Sequence, residues 1–204
     1  MPEVVIVDYG VGNLHSLGKA LERAGARVRV AVGPAEFSDA RALVLPGVGA
    51  FGKVMEVVRP WADALRARID AGVPTLAVCV GMQVLYSWGE EGNCAGLGLL
   101  GGTVRRMPHP RLPHMAWSPI SWTAPRDPVL EGIPDRTHFY FVHSFATPAE
   151  EATAGVLGTT LYGKPFVAVA RRGAVVATQF HPEKSSDQGA RLIGNWVRSI
   201  GDSP

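Results

Sequence analysis

The stretch that most constrains this chain is Thr75-Leu76-Ala77-Val78-Cys79-Val80-Gly81-Met82-Gln83, which follows Gly72-Val73-Pro74. Its first half is apolar throughout. The run is too short for a helix and too uniform for a strand with one wet face, so it reads as a strand buried on both faces of a parallel sheet. The pattern then changes. Gly81 allows a close turn, and Met82, Leu85 and Tyr86 recur at helical spacing, which predicts a helix. Cys79 therefore falls where a strand turns into a helix. The free N–H groups and dipole of such a helix stabilise an anion and favour a thiolate. The N–H of Val80 can face the oxyanion formed when sulfur attacks a carbonyl. A buried structural cysteine ending a core strand fits the same stretch equally well.

Ala174 to Phe180 reads as another strand and runs into His181-Pro182-Glu183. Pro182 disfavours the helical region for His181. In extended backbone, residues two apart point to the same side. His181 and Glu183 are thus expected to project together, the carboxylate orienting the imidazole. A nucleophile, a base and a third group that holds the base make a triad, and this pairing favours Cys79 as the nucleophile.

Val78-Cys79-Val80-Gly81-Met82-Gln83 together with His181-Pro182-Glu183 resembles the class I glutamine amidotransferases, over nearly the whole chain. Asp8-Tyr9-Gly10-Val11-Gly12-Asn13-Leu14, Pro46-Gly47-Val48-Gly49-Ala50-Phe51, Tyr140-Phe141-Val142-His143-Ser144 and Lys184-Ser185 narrow it to the glutaminase subunits of imidazole glycerol phosphate synthases. The resemblance implies a three-layer, flavodoxin-like α/β fold with a mostly parallel central sheet and antiparallel C-terminal strands. It implies catalysis by Cys79, His181 and Glu183. Oxyanion donors would come from Val80 and from Gly47, Val48 or Gly49, and Gln83 and Ser144 would hold the substrate. It further implies a (β/α)8-barrel cyclase partner in a heterodimer, with Asn13, Trp117 and Lys184 as interface candidates, and neither cofactor nor metal. The segment around Trp117 departs from the family, with Ala116 for a glycine and Ser118 for an asparagine. Phe145 stands where tyrosine is common, and Ala77 where glycine often precedes the elbow. Glutaminases for other acceptors, in pyridoxal phosphate or anthranilate synthesis, would keep the same triad. Cysteine peptidase or deglycase relatives share the elbow but need neither Gln83 nor the His-Pro-Glu arrangement.

With 204 residues the chain is expected to be a single domain, 1–204. Twenty basic and eighteen acidic residues give a net charge of +2, which favours neither nucleic acid nor an acidic membrane. Arg105, Arg106, His109 and Arg111 make one small basic cluster, read first as a solvated loop and second as a partner contact. Two cysteines cannot form a disulfide framework, and a thiolate at Cys79 suits a reducing compartment. Cys94 reads as a passive thiol. No signal-peptide pattern opens the sequence, and no apolar run nears the roughly 18 residues of a membrane span. A cytoplasmic protein is expected.

Strands are expected at Glu3 to Val7, Arg27 to Val32 and Ala42 to Leu45, with a helix after an Asn13 N-cap and another over Lys53 to Ala71 broken near Pro60. Gly10 and Gly12 lack the third glycine of a dinucleotide fingerprint. Residues 89–102 read as irregular. Antiparallel strands are expected at Thr153 to Leu161, Phe166 to Arg171 and Ala174 to Phe180. A capping box of Ser185 and Gln188 is expected to open the last helix.

Overall fold

The computed structural model describes residues 1–10, 13–153 and 155–201. The turn residues Val11 and Gly12, and Ala154 at the head of one expected strand, lie outside them. The first half of the chain runs β1 (Glu3–Val7), α1 (Leu14–Arg23), β2 (Arg27–Ala31), α2 (Pro34–Phe37), β3 (Leu43–Leu45), α3 (Phe51–Val58), α4 (Ala62–Asp70), β4 (Thr75–Val78) and α5 (Val80–Gln83). Then follow β5 (Tyr86–Gly89), β6 (Cys94–Ala95), β7 (Leu100–Arg106), β8 (His114–Pro119), β9 (Ser121–Trp122), β10 (His138–His143) and β11 (Phe145–Ala146). The chain ends with β12 (Val156–Tyr162), β13 (Lys164–Arg172), β14 (Val175–Thr178) and α6 (Ser186–Gly201).

The central sheet has the order β2-β1-β3-β4-β14-β13-β12-β9. Every pairing from β2 to β14 is parallel, and every pairing from β14 to β9 is antiparallel. Burial explains the apolar strands. Val5 and Val7 of β1 enter one core with α3 and α4, while Val4 and Ile6 enter another with α1 and α6. Neighbouring residues on one strand are buried on opposite faces, each side chain contributing roughly 1.5–3 kcal/mol, so no alternation with polar residues can appear. The result is a sheet between two helical layers.

Asn13 caps α1 by accepting from the Ser16 N–H at 3.2 Å. Pro60 lies in a 3-10 turn, Arg59–Trp61, that separates α3 from α4, because proline has no N–H to continue the ladder.

Several expectations need correction. The helix after Cys79 is a single turn, and Tyr86 opens a strand. The Leu85 carbonyl accepts from the N–H groups of Leu99 and Leu100, and β5 pairs with β6 and β7. Residues 89–102 are therefore partly sheet: tertiary pairing overrides the helical spacing of Leu85 and Tyr86. Arg105 and Arg106 lie on β7, not in a loop, and Arg105 pairs with Glu151 at 2.5 Å. The capping box does not form. The Ser185 hydroxyl donates to the His181 carbonyl and accepts from the Tyr140 N–H, while Gln188 Oε1 finds no partner among the described residues.

Candidate active site

The site lies beyond the carboxyl ends of β3, β4 and β14, where open α/β sheets place their ligands. Cys79 follows β4 directly, its N–H bonded to the Thr178 carbonyl of β14 at 2.7 Å. Its backbone has φ 49° and ψ −108°, a positive φ that costs a non-glycine residue about 1–3 kcal/mol. The elbow persists because its surroundings leave no alternative. A Cβ on Gly47 would stand 1.9 Å from the Val78 carbonyl oxygen, and one on Gly81 would stand 2.2 Å from that of Leu45. The segment after β3 and the turn after β4 thus touch backbone to backbone, which needs glycine on both sides. Val80 is the first residue of α5, so its N–H has no acceptor within the helix. Because α5 is one turn long, its dipole is small, and the free N–H groups are what an anion would meet there. Gly49 has φ 125°, a conformation that side chains rarely permit.

His181 arrives from β14. Its Nδ1 lies 2.8 Å from Glu183 Oε1, with both side chains almost fully buried. Extended backbone does not bring them together. Pro182–Lys184 form a 3-10 turn, and proline at its first position folds the carboxylate back under the ring. Ser185 ties the corner down through its bonds to His181 and Tyr140. His181 shares the cavity with Cys79 and is close enough to feel its sulfur. Burial alone would lower its pKa. The bonds and charges of Cys79 and Glu183 outweigh burial and raise it to about 9, so the imidazole is held protonated near neutrality. Glu183 Oε2 is buried without a hydrogen-bond partner among the described residues, an arrangement that favours a charged neighbour.

A cavity of about 230 Å³ opens on these groups, lined by Gly47, Val48, Gly49, Cys79, Val80, Gln83, Ser144 and His181. It thus gathers the expected oxyanion and substrate residues, with Glu183 behind His181. Asn13 follows the carboxyl end of β1 and Lys184 that of β14, on the same rim, and both are exposed. On β8, His114 and Ser118 point inward while Met115 and Trp117 are 62% and 47% exposed. Trp122, by contrast, packs partly into the core and donates to the Pro134 carbonyl. Among the described residues no cluster of His, Cys, Asp and Glu could hold a metal.

Four residues at the site escaped the sequence. Glu91 lines the cavity and accepts from the Phe51 N–H at 2.8 Å. The Tyr9 hydroxyl donates to the Pro46 carbonyl, tying the turn after β1 to the glycine segment; burial first, then the charges of Cys79 and Asp8, raise its pKa well above the usual value. Gln179, just before Phe180 and His181, donates to Cys79 Sγ at 3.6 Å. His143 forms part of the cavity wall and meets the buried His114 at 3.3 Å. The one available signal was a polar residue interrupting an apolar strand end, as at Gln179.

The family pattern described as glutamine amidotransferase class-I matches residues 5–200. A relative from Synechococcus sp. (strain JA-3-3Ab), named imidazole glycerol phosphate synthase subunit HisH, is 42% identical over 97% of this chain and 94% of its own length. One of the same name from Moorella thermoacetica is 43% identical over 100% of this chain and 99% of its own. The structure of the glutaminase domain of Trypanosoma brucei CTPS superposes with a TM-score of 0.74 at 14% identity, covering 100% of this chain and 95% of that one, a likeness of fold. The chain belongs to the class I glutamine amidotransferases and, within them, to the HisH subunits of imidazole glycerol phosphate synthase.

Proposed function

We propose that this chain is the glutaminase half of an imidazole glycerol phosphate synthase, hydrolysing glutamine to glutamate and ammonia through a thioester on Cys79. The observation that carries the chemistry is the line Cys79–His181–Glu183, closed by a 2.8 Å bond at its far end. The Cys79 thiolate attacks the side-chain amide carbon of glutamine. The oxyanion takes N–H donors from Val80 and from the segment Gly47 to Gly49. The protonated His181 gives its proton to the departing nitrogen, and ammonia leaves. The now neutral imidazole takes a proton from water, the hydroxide attacks the thioester, and glutamate and the thiolate are released. Glu183 keeps the ring oriented and favours its charged form. Glu91 and Gln83 suit the substrate's ammonium, and Ser144 its carboxylate.

Ammonia is the useful product, so the chain works beside a cyclase subunit, a (β/α)8 barrel in a cytoplasmic heterodimer that adds ammonia to a phosphoribosyl aminoimidazole intermediate. The exposed Met115 and Trp117, with Asn13 and Lys184 on the site's rim, form the docking face. The Gly47 to Gly49 peptides turn their donor toward the substrate only when the partner is engaged, and identical peptide orientations with and without the liganded partner would sink that idea. The thioester is tested by acid quench during turnover and mass spectrometry of the peptide holding Cys79. A glutamyl adduct there, absent in Cys79→Ala, is expected. Steady-state turnover that survives in Cys79→Ala would refute the mechanism.

A further inference from the structure

Phe145 offers the site a carbonyl oxygen, which can only accept. It accepts from Gln83 Nε2 at 2.8 Å and from His143 Nδ1 at 2.9 Å. This one atom fixes the polarity of everything bonded to it. A flipped Gln83 amide would set two acceptors against each other, so Nε2 must face Phe145. The same Nε2 donates to Gln179 Oε1 at 3.2 Å. Gln179 Oε1 therefore points at Gln83, and Gln179 Nε2 must point the other way, at Cys79 Sγ, 3.6 Å off. Gln179 is 1% exposed and Gln83 4%, so water does not compete for these bonds. The mirrored amide would place an oxygen against the thiolate and two donors against each other.

We infer that Gln179 is a further catalytic residue, donating a hydrogen bond to the Cys79 sulfur and holding the Gln83 amide with its oxygen toward the cavity. Gln83 spends both Nε2 hydrogens on Phe145 and Gln179. Only its Oε1 is left for the cavity, an acceptor matched to an ammonium group. The donor on sulfur acts selectively. A thiolate is a strong acceptor and a thioester sulfur a weak one, so the bond favours the free thiolate over both thiol and acyl-enzyme. It thereby assists departure of the sulfur when water attacks.

This inference rests on the thioester reading above, and one experiment separates the two. The rate of Cys79 alkylation by iodoacetamide is measured against pH for the wild type, Gln179→Met and Gln179→Glu, in complex with the cyclase subunit. Of the titratable groups, His181 and Tyr9 interact with the sulfur, His143 and Glu91 line the same cavity, and Glu183 stands behind His181; all remain in each variant. For Gln179→Met the pH of half-maximal alkylation should rise by about one unit, the equivalent of a lost donor. For Gln179→Glu, which also adds negative charge, it should rise further. Glutamine kcat should fall roughly tenfold or more and KM should rise as Gln83 loses its orientation. A profile unmoved in folded Gln179→Met overturns the inference, while alkylation that ignores Cys79 in the wild type fails the thioester reading instead. A second readout needs no variant. The Gln179 side-chain amide protons should shift upfield in NMR when Cys79 is carbamidomethylated, and a shift unchanged by alkylation equally overturns it.

Discussion

His181 and His143 lie on the walls of the same cavity, both nearly fully buried, and end in opposite charge states. Burial pushes His143 down to about 3, helped by the neighbouring His114, which is itself held near 4. His181 suffers the same burial, yet the bonds and charges of Cys79 and Glu183 carry it up to about 9. Desolvation alone expels the proton, and only a local anion brings it back. The partners decide the chemistry of each ring. His143 Nδ1 meets the Phe145 carbonyl, so the Nδ1 is the donor and Nε2 the acceptor. His114 Nδ1 must then donate to that Nε2, and its own Nε2, 2.9 Å from Ser118 Oγ, accepts from the hydroxyl. That chain is satisfied with both rings neutral, whereas His181, set between the Glu183 carboxylate and the Cys79 sulfur, has a charge to stabilise it on either side. Separated pKa values of this kind point to acid–base candidates: they suit His181 to the proton transfers proposed for it and the His143–His114 pair to a neutral wall.

The contrast can be broken from the His181 side first. Cys79→Ala removes the largest of the raising influences, so glutamate release should drop to background and the His181 NMR titration midpoint should fall well below 9. Glu183→Gln should come next. It keeps the shape but not the charge, and kcat should fall roughly 10²- to 10⁴-fold while the His181 midpoint falls toward or below 6.5. The same shift has a stability consequence. A pKa raised in the folded state adds stability that is complete below pH 6.5 and disappears as pH rises through about 9. Denaturant titrations at pH 6.5 and 9 should show that loss in the wild type and little of it in Glu183→Gln.

The neutral pair gives the opposite sign. Histidines whose folded pKa is depressed hold their stabilising contribution above pH 6.5 and lose it as pH falls toward 4 and 3. His114→Phe, which keeps the stacking on Phe141 and Tyr162, should flatten the melting temperature between pH 7 and 5. It should also cost about 1–3 kcal/mol at pH 7 from the bonding partners it strands. Ser118→Ala should have the smallest effect, about 1 kcal/mol of stability, with glutaminase kinetics unchanged. A large kinetic effect there would mean that the wall takes part in proton movement.

How much of this was legible follows from how each residue is held. The Cys79 elbow was readable because its signal is local: an apolar run, a cysteine, and a glycine two residues on. The meeting of His181 with Glu183 was readable from Pro182, although the turn that achieves it is 3-10 and not extended. Tyr86 misled because its spacing from Met82 and Leu85 is helical, while the pairing that makes it a strand comes from a distant partner, β7. His143 and Glu91 were silent, and Gln179 showed only as a polar residue at an apolar strand end. Their importance lies in which atom faces them across the fold, and no spacing along the chain encodes that. The Ser185–Gln188 motif failed for the same reason, since Tyr140 and His181 claim the hydroxyl first.

The most direct test of the whole account is glutamate release from glutamine by this chain alone, with a barrel cyclase subunit, and with that subunit plus its phosphoribosyl ligand, with Cys79→Ala as the blank. The account predicts little activity alone and strong, Cys79-dependent stimulation in the last condition. Cys79-dependent release that is equal in all three would leave the thioester chemistry intact and contradict the coupling to the cyclase.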